Sequence, residues 1–239
     1  MSVSQHRFYD RYIDEKVQNA ATIHRGERVM ELLDSDAERV LDAGCGYGEL
    51  LEAVKHARPS VRDAVGMDIA SSVGEKLAKR GLRGVCGDVS EPWPFPDACF
   101  DAVICAEVIE HVFDTDLMVK EAYRVLEPGG CVIVTTPNLA YVANRLLLLA
   151  GVQPLFTETS TSTVLGRWLP FLGQHRRTEG HLRLFTLGAL KEILSMHGFR
   201  VERALGYCFF QQGPLGMLDR ALTLRAQLSA GLAVRARKP

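Results

Sequence analysis

Three glycines that follow a short apolar stretch constrain the fold of this chain more than any other feature. The segment from Arg39 to Gly48 reads RVLDAGCGYG, so a buried strand and an acid would precede Gly44, Gly46 and Gly48. Glycine lets the backbone turn sharply and approach a bound molecule closely. A helix is predicted from Glu49, and its free N–H groups would point at that molecule. The pattern predicts a strand, a ligand-binding turn and a helix of a doubly wound α/β fold.

The glycine spacing and the neighbouring acid restrict the ligand. Dinucleotide-binding turns space their glycines as G-x-G-x-x-G, whereas this chain has G-x-G-x-G directly after Asp42 and Ala43. A carboxylate at Asp42 would repel a pyrophosphate and would suit a ligand that carries positive charge. The pattern therefore favours a cationic, nucleoside-sized ligand over a glycine turn that only tightens a strand–helix junction.

An acid also ends the second predicted strand, which runs from Asp63 to Ile69. Asp68 lies 22 positions beyond Gly46. In doubly wound folds an acid about 20 residues past the glycine turn can accept hydrogen bonds from both hydroxyls of a ribose. The alternative is a cap for the next helix, which would begin near Ser71 or Ser72. The two roles are compatible, and we favour ribose binding.

These stretches together resemble a known family. The segment VLDAGCGYG, from Val40 to Gly48, closely resembles the first motif of the class I S-adenosylmethionine-dependent methyltransferases. The strand around Asp88, the strand from Phe100 to Glu107 and the turn Pro128-Gly-Gly resemble later motifs of that family. The resemblance is close over residues 39–137 and holds elsewhere in outline. It is strongest for the ubiquinone and menaquinone type of enzyme.

The resemblance implies a fold and a cofactor. Members of the family have a doubly wound α/β fold with a mostly parallel seven-stranded sheet, whose last strand inserts antiparallel beside the fifth. The cofactor would be S-adenosylmethionine, with the adenine amino group at the carboxylate of Asp88 and a ring nitrogen at the amide of Val89. The implied cofactor-binding residues are Asp42, Gly44, Cys45, Gly46, Gly48, Asp68, Ile69, Asp88, Val89 and Glu107.

The segment Glu107-Val-Ile-Glu-His111 follows the fourth predicted strand and allows two interpretations. If it is helical, Glu107, Glu110 and His111 share one face and can bind a divalent metal. Some quinone-pathway and small-RNA methyltransferases use a similar group in this way. Many relatives with the same residues need no metal, and in those Glu107 approaches the cofactor. We expect no metal, with a magnesium-dependent O-methyltransferase as the alternative.

The alternation of predicted strands and helices, and the stretch where it stops, divide the chain into four parts. These are N-terminal helices covering the cofactor site (1–38), the cofactor-binding core (39–138), an acceptor lid inserted in the fold (139–184) and the end of the core sheet (185–239). Tyr9 and Tyr12 are candidates for closing over the cofactor. The apolar run from Leu146 to Ala150 is expected to pack in the lid core, with an interfacial helix at a lipid surface as the alternative.

Methyl transfer to an oxygen needs a base on the acceptor side. His111 is the candidate, because imidazole titrates near the working pH and the residue would lie at the carboxyl edge of the sheet. A purely structural histidine stays open as the alternative. His181 is the second candidate for the base. Asn138, Tyr141 and Arg183 are predicted to contact the acceptor, with Arg183 orienting an anionic group.

Charge is distributed unevenly along the chain. Residues 1–138 hold 15 Lys+Arg and 24 Asp+Glu, a net of −9, while residues 139–239 hold 13 and 5, a net of +8. The lid contributes Arg145, Arg167, Arg176, Arg177 and Arg183 against Glu158 and Glu179. The difference favours a cationic cofactor in the first part and an anionic acceptor or surface in the second. Scattered solvated charges would give the same counts, so the anionic acceptor is a hypothesis.

Other sequence features indicate where the protein is located and what it does not bind. No apolar run is long enough to span a bilayer, and the six cysteines form no Cys-x-x-Cys pair. We expect a soluble cytoplasmic protein with free thiols, as a monomer or a homodimer. A DNA amino-methyltransferase would need an Asn/Asp-Pro-Pro-aromatic motif where this chain has Ala106-Glu-Val-Ile, so no nucleic acid is expected.

The sequence therefore predicts a methyltransferase that acts on a small or lipid-linked acceptor. The expected reaction is O-methylation in secondary-metabolite, quinone or glycan biosynthesis. A methyltransferase-like binding protein without activity is the alternative. A nicotinamide oxidoreductase would share the fold, but the glycine spacing and the acid before the glycines argue against it.

Overall fold

The computed structural model describes residues 20–167, 176–209 and 213–239. Over these residues strands and helices alternate, and seven strands join one sheet with helices on both faces. The predicted lid residues Tyr9 and Tyr12 lie outside the described part of the chain.

The elements follow the predicted order. They are α1 (Ala20–Leu32), β1 (Arg39–Ala43), α2 (Glu49–Ala57), β2 (Asp63–Asp68), α3 (Val73–Ala78), β3 (Arg83–Cys86), β4 (Phe100–Ala106), α4 (Thr115–Val125), β5 (Leu126–Pro137), α5 (Val142–Leu149), α6 (Leu187–Met196), β6 (Arg200–Tyr207), α7 (Gly213–Leu222) and β7 (Gly231–Arg237). A short 3₁₀ turn, Ala226–Leu228, precedes β7.

The strand order in the sheet is β3-β2-β1-β4-β5-β7-β6. β7 runs antiparallel to both of its neighbours, and the other pairs are parallel. Its pairing with β5 runs from Cys131 opposite Arg237 to Pro137 opposite Gly231. The predicted sheet, mostly parallel with the last strand inserted beside the fifth, is confirmed.

The alternation of side chains along the strands builds an apolar layer on each face of the sheet. Leu41 of β1 belongs to the layer that includes α4 and α6, and Val40 belongs to the layer that includes α1, α2 and α3. Both side chains are fully buried. Burying a side chain of this kind stabilises the fold by about 1.5–3 kcal/mol. The two layers therefore hold the sheet rigidly between its helices.

The strand order reverses between β1 and β4, which are neighbours in the sheet. Ligands of open α/β sheets bind at such a point, outside the carboxyl ends of the strands. The glycine turn after β1 and the turn after β4 lie at this edge. α5 follows β5 and α7 follows β6 at the same edge, because β5 and β6 both run antiparallel to β7.

Three elements differ from the predicted ones. β3 ends at Cys86, so Asp88 and Val89 follow the strand instead of belonging to it. The turn at Pro128 falls inside the span of β5, where the register against β4 shifts. α7 has no counterpart among the predicted elements.

The apolar run of the insertion forms α5, and its leucines face outward. Leu146, Leu148 and Leu149 are 62%, 58% and 85% exposed. The buried residue of this helix is the polar Asn144. The prediction that the run packs in a lid core is therefore wrong. None of the described helices, α5 included, combines the length and apolar character needed to cross a membrane.

Candidate active site

Backbone hydrogen bonds to the end of β2 hold the glycine turn. The N–H groups of Gly44 and Cys45 donate to the carbonyl of Met67 at 2.7 and 3.1 Å. Gly44, Gly46 and Gly48 have φ of 81°, 55° and 81°, in the left-handed region that glycine adopts without steric cost. A Cβ on Gly46 would meet no atom within 4 Å. The turn is fixed on its strand side and opens onto space that a ligand can fill.

Asp68, at the end of β2, supports the same turn. Its Oδ2 atom accepts a hydrogen bond from the N–H of Gly46 at 2.9 Å, and its Oδ1 atom accepts one from the N–H of Ala70 at 3.0 Å. Ser72, not Asp68, is the N-cap residue of α3. Since each carboxylate oxygen can accept more than one hydrogen bond, Asp68 can hold the turn and receive ribose hydroxyls.

Asp42 lies in β1 and is almost fully buried. Its Oδ1 atom has no hydrogen-bond partner among the residues that the structure describes. Burial raises the pKa of Asp42 to about 7; Arg25 of α1 opposes the rise, and the carboxylates of Asp68 and Glu49 add to it. A buried polar atom without a partner costs free energy. A ligand that brings a donor or a positive charge to this point would remove that cost.

Glu107 follows β4 with a φ of 58°, which is uncommon for a residue other than glycine. Its Oε1 atom accepts hydrogen bonds from the hydroxyls of Tyr207 at 2.6 Å and Thr135 at 3.1 Å. Its Oε2 atom lies 4.0 Å from Nη1 of Arg25. Burial, reinforced by Glu107, raises the pKa of Tyr207, so this hydroxyl stays protonated and donates. The acid at the end of β4 is thus fixed in place by β5, β6 and α1.

The predicted adenine-binding residues form the loop after β3. The carboxylate of Asp88 accepts a hydrogen bond from the N–H of Ser90 at 2.8 Å. The carbonyl of Val89 accepts one from the indole N–H of Trp93 at 3.3 Å. These contacts shape the loop, and both residues remain partly exposed at the carboxyl edge.

Cys45 and Ile69 contribute backbone to the site. The side chain of Cys45 is buried, and a Cβ on Gly66 would lie 2.6 Å from its sulfur. Burial raises the pKa of this thiol well above its usual value, so it stays protonated and unreactive. The carbonyl of Ile69 accepts a hydrogen bond from Sγ of Cys86 at 3.7 Å.

The segment from Glu107 to His111 is a turn and not a helix. The N–H of His111 donates to the carbonyl of Val108 at 2.9 Å, and the next helix begins only at Thr115. Glu110 is fully buried, with Oε2 accepting a hydrogen bond from Thr136 at 2.9 Å. The helix on which Glu107, Glu110 and His111 would share one face is therefore not formed, and the turn directs Glu107 to other partners.

The insertion brings His181 to Glu110 and His111. One ligand atom from each of these three residues lies within 4.8 Å of the others, and the two ring centroids are 4.9 Å apart. Nδ1 of His111 lies 3.1 Å from the carbonyl of Gly180, and Nδ1 of His181 lies 2.8 Å from that of Phe156. A carbonyl only accepts, so each Nδ1 donates to its carbonyl, and the Nε2 atom of each ring is the position that can take up a proton or bind a metal. Nε2 of His181 also lies 3.6 Å from Oε2 of Glu179. The group can act as a base or bind a divalent cation.

Glu158 holds the part of the insertion that carries His181. Its Oε1 atom accepts a hydrogen bond from the N–H of Glu179 at 2.6 Å, and its Oε2 atom accepts from the N–H groups of Gly180 and His181 at 2.8 and 3.0 Å. One carboxylate thus fixes three consecutive amides. Because Gly180 also binds the ring of His111, Glu158 sets the position of both imidazoles.

Known proteins with similar sequences identify the family. A family model described as a methyltransferase domain matches residues 6–204. The mitochondrial ubiquinone biosynthesis O-methyltransferase of Rattus norvegicus is 31% identical over an alignment of 183 residues. The alignment covers 72% of this chain and 47% of that protein. The ubiquinone biosynthesis O-methyltransferase of Rhizobium etli is 30% identical over 80% of this chain and 72% of its own length. The chain belongs to the class I S-adenosylmethionine-dependent methyltransferases.

Solved structures show the same fold for this methyltransferase. The N-methyltransferase NodS of Bradyrhizobium japonicum, solved in complex with S-adenosyl-L-homocysteine, gives a TM-score of 0.63 over 98% of each chain, at 14% identity. At that identity the likeness shows the fold alone. The chain also spans about half the length of the rat relative.

Asn138 and Tyr141 have structural roles in this methyltransferase. Asn138 is fully buried; its amide donates to the carbonyl of Ser229 at 2.7 Å and its Oδ1 atom accepts from the N–H of Ala140 at 2.9 Å. Tyr141 is buried, and this burial, together with Asp219, raises the pKa of its hydroxyl. These contacts join β5, α5 and α7, and acceptor binding by the two residues stays a prediction.

Three lid arginines hold backbone carbonyls. Arg183, Arg167 and Arg145 donate to the carbonyl oxygens of Phe113, Pro154 and Ala140 at 2.8, 2.7 and 2.7 Å, respectively. Arg183 thus anchors the insertion to the segment after His111, and its predicted contact with an anionic acceptor stays a prediction. Three of the five arginines in the predicted lid are engaged with backbone in this way.

Three residues of the site were absent from the sequence predictions, namely Arg25, Tyr207 and Glu158. Arg25 lies in a helix before the first motif, and Glu158 lies in an insertion without a periodic pattern. No sequence pattern therefore marks either residue as part of the site. Tyr207 is marked by a sequence pattern, because residues 199–207 have the pattern of a sixth strand and Tyr207 ends it. With the last strand inserted between the fifth and sixth, that strand end falls at the carboxyl edge.

Proposed function

We propose that the chain transfers a methyl group from S-adenosylmethionine to an oxygen of a small or lipid-linked acceptor. The observation that carries this proposal is Asp42, whose buried carboxylate has an oxygen unpaired among the described residues, next to three left-handed glycines. The cofactor supplies an activated methyl group on its sulfonium, so the protein has chiefly to bind and align.

Asp42 and Arg25 suit the amino acid end of that cofactor. This end carries an ammonium and a carboxylate, and the two side chains offer the opposite charges. Nε of Arg25 is also buried without a partner among the described residues. On the nucleoside side, Asp68 would accept from the ribose and Asp88 from the adenine amino group. Each role uses hydrogen-bonding capacity that the fold leaves at the carboxyl edge.

His111 is the proposed base. Its Nε2 lone pair would take the proton of the acceptor hydroxyl while the oxygen–methyl bond forms and the methyl–sulfur bond breaks. The hydrogen bond from Nδ1 to Gly180 keeps the ring in the required tautomer. His181 packs against it and is the second candidate for this role.

Calorimetry and a transfer assay test these assignments separately. We expect S-adenosylmethionine to bind and NADH not to bind. With phenolic acceptors, His111→Gln should reduce methyl transfer by about a hundredfold or more, the usual contribution of a general base. The exposed His56→Gln is the matched control and should not.

Each part of the proposal fails on its own result. Absence of cofactor binding would remove the proposed function altogether. Binding without transfer to any acceptor would favour the binding-protein alternative. An active His111→Gln protein would leave the methyltransferase in place without its proposed base.

Metal-assisted transfer is the second candidate, favoured by the approach of Glu110, His111 and His181 within 4.8 Å. Histidines that bind metals commonly donate their other ring N–H to a carbonyl, as both do here. Magnesium, however, prefers oxygen ligands, and this group offers two nitrogens. We expect full activity after treatment with a chelator. Activity lost on chelation and restored by a divalent metal would establish the second candidate.

The names of the relatives guide the choice of acceptor. The rat and Rhizobium etli proteins are ubiquinone biosynthesis O-methyltransferases. We accordingly propose a ring hydroxyl on a molecule with an apolar tail. Phenols with and without an alkyl tail distinguish this acceptor from a small polar one, since only the tailed compound should reach a low KM.

A further inference from the structure

Two helices present apolar side chains to solvent at the carboxyl edge of the sheet. The first is α5, whose Leu146, Leu148 and Leu149 are more than half exposed. The second is α7 with the turn after it, where Met217, Leu218 and Leu224 are 76%, 58% and 88% exposed. Scattered exposed leucines are ordinary on a protein surface, but six large apolar side chains on two neighbouring elements are not.

The two helices are joined to each other. Tyr141, the N-cap residue of α5, lies close enough to Asp219 of α7 for that carboxylate to raise its pKa. Arg145 of α5 donates to the carbonyl of Gln227 at 3.3 Å, in the turn between α7 and β7. Asn138 binds the carbonyl of Ser229 on the same stretch. The start of α5 therefore lies beside α7 and the turn after it, and we call the six exposed apolar side chains of these elements the apolar face.

The exposed charged residues of α5, α7 and the turn after α7 are all basic. Arg145, Arg220 and Arg225 are exposed on these elements. The acid in α7, Asp219, is buried and accepts a hydrogen bond from the N–H of Phe209 at 2.7 Å. Exposed apolar side chains flanked by arginines are the pattern of a helix that lies in the interface of an anionic membrane.

We propose that the apolar face docks on an anionic lipid bilayer. The leucines and methionine would enter the boundary between headgroups and acyl chains, and the arginines would lie among the phosphates. Since the glycine turn and the apolar face share the carboxyl edge of the sheet, docking would turn the ligand-binding edge toward the lipid. This proposal does not depend on the methyltransferase activity.

Flotation with lipid vesicles tests the proposal on the full chain. Vesicles of phosphatidylcholine with phosphatidylglycerol should bind the protein about tenfold or more tightly than vesicles of phosphatidylcholine alone, given the usual contribution of each arginine. Raised salt should weaken this binding. Arg220→Glu with Arg225→Glu should remove most of the difference between the two lipids.

A matched pair of methionines provides the control. Met217 on the apolar face is 76% exposed, and Met196 at the end of α6 is 75% exposed. Met196 precedes β6 and so lies toward the opposite edge of the sheet. Met217→Glu should lower vesicle binding by about tenfold or more, whereas Met196→Glu should not, and adding Leu149→Glu to Met217→Glu should lower binding further. Circular dichroism should show that each variant is folded.

Several results would overturn the proposal. These are no binding to either kind of vesicle, equal binding to both, or an equal loss in Met196→Glu. A wild-type dimer in solution that Met217→Glu converts to a monomer, without vesicle binding, would instead make the apolar face an interface between two copies of the chain.

Discussion

The proposed cofactor side, at the glycine turn, and the proposed lid side, which is the insertion of residues 139–184, are held by different kinds of contact. The glycine turn is fixed by main-chain hydrogen bonds to its neighbouring strand and by Asp68, 22 positions along the chain from Gly46. The insertion is fixed by side chains that bind distant backbone, such as Glu158 on the amides of residues 179–181. The first arrangement follows from the sheet. The second depends on particular side chains far apart in sequence.

Because of this difference, substitutions on the two sides should affect different properties of the protein. A change on the cofactor side acts on a charge or a hydrogen bond within a rigid frame, so it should alter affinity with little effect on shape. A change on the lid side releases a loop, so it should alter turnover with little effect on cofactor affinity. Variants that move both properties together would break the distinction.

The largest expected effect is on the cofactor side, at Asp42. Asp42→Asn should weaken S-adenosylmethionine binding by about 2–4 kcal/mol, because a buried charge-assisted partner is lost. Since burial raises the pKa of this carboxyl from 3.8 to about 7, the same change should stabilise the protein without cofactor above that pH. The gain can reach about 4 kcal/mol as an upper bound.

Calorimetry and chemical denaturation measure the two effects of Asp42→Asn. Asp63→Asn, at the other end of β2, is the control and should change neither. A variant at Asp42 that keeps full cofactor affinity would show that this carboxylate does not face the ligand.

The next effect belongs to the lid side, at Glu158. Glu158→Gln should lower kcat by up to about a hundredfold, the cost of misplacing a reacting group by about 1 Å, while cofactor affinity is unchanged. The amide of glutamine cannot accept from three N–H groups, so both imidazoles would lose their position. Glu75→Gln, in α3, is the control, because its side chain is 73% exposed and pairs with Lys79. A parallel loss of cofactor affinity would show that the two sides are coupled.

The affinity for the cofactor should depend on pH through the protonation of Asp42. With a pKa of about 7, Asp42 is mostly protonated below that value in the protein without cofactor. Binding of a cationic ligand should therefore be about tenfold tighter one pH unit above this value than one unit below it. Calorimetry in buffers of different ionisation enthalpy should show proton release on the acidic side. The slope should vanish in Asp42→Asn.

Asp42 also gives a stability trend with a defined sign. Its folded pKa is raised, so the folded chain binds more protons than the unfolded chain between pH 3.8 and about 7. The contribution of this group to the free energy of unfolding therefore falls as pH rises through that window. Comparing wild type with Asp42→Asn by denaturation at several pH values isolates the contribution.

The smallest expected effect is at Arg183. The guanidinium donates to the carbonyl of Phe113 at 2.8 Å, and lysine can keep one such bond. Arg183→Lys should cost about 0.5–1.5 kcal/mol of stability and leave the KM for the acceptor nearly unchanged. A KM raised tenfold with unchanged stability would restore the acceptor-binding role that the sequence suggested.

The same comparison explains how far the sequence could predict the structure. Asp42, Asp68 and the three glycines are close to strand ends, so local pattern and strand order place them correctly at one edge. The partners of Glu107 could not be predicted in this way, because a turn replaces the expected helix and Tyr207 comes from β6. The contacts of Asn138 and Arg183 depend on the path of an insertion that has no periodic pattern.

The hydrogen bond from Tyr207 to Glu107 has a consequence for protein engineering. Residues 39–138 contain every motif residue that is proposed to bind the cofactor. Glu107, which has an uncommon positive φ, nevertheless accepts its hydrogen bond from the hydroxyl of Tyr207, which lies 100 positions later in the chain. A fragment that ends after β5 would therefore lose the partner of this carboxylate along with β6 and β7. Chimaeras with related enzymes should exchange the insertion of residues 139–184 and retain the final two strands of the host.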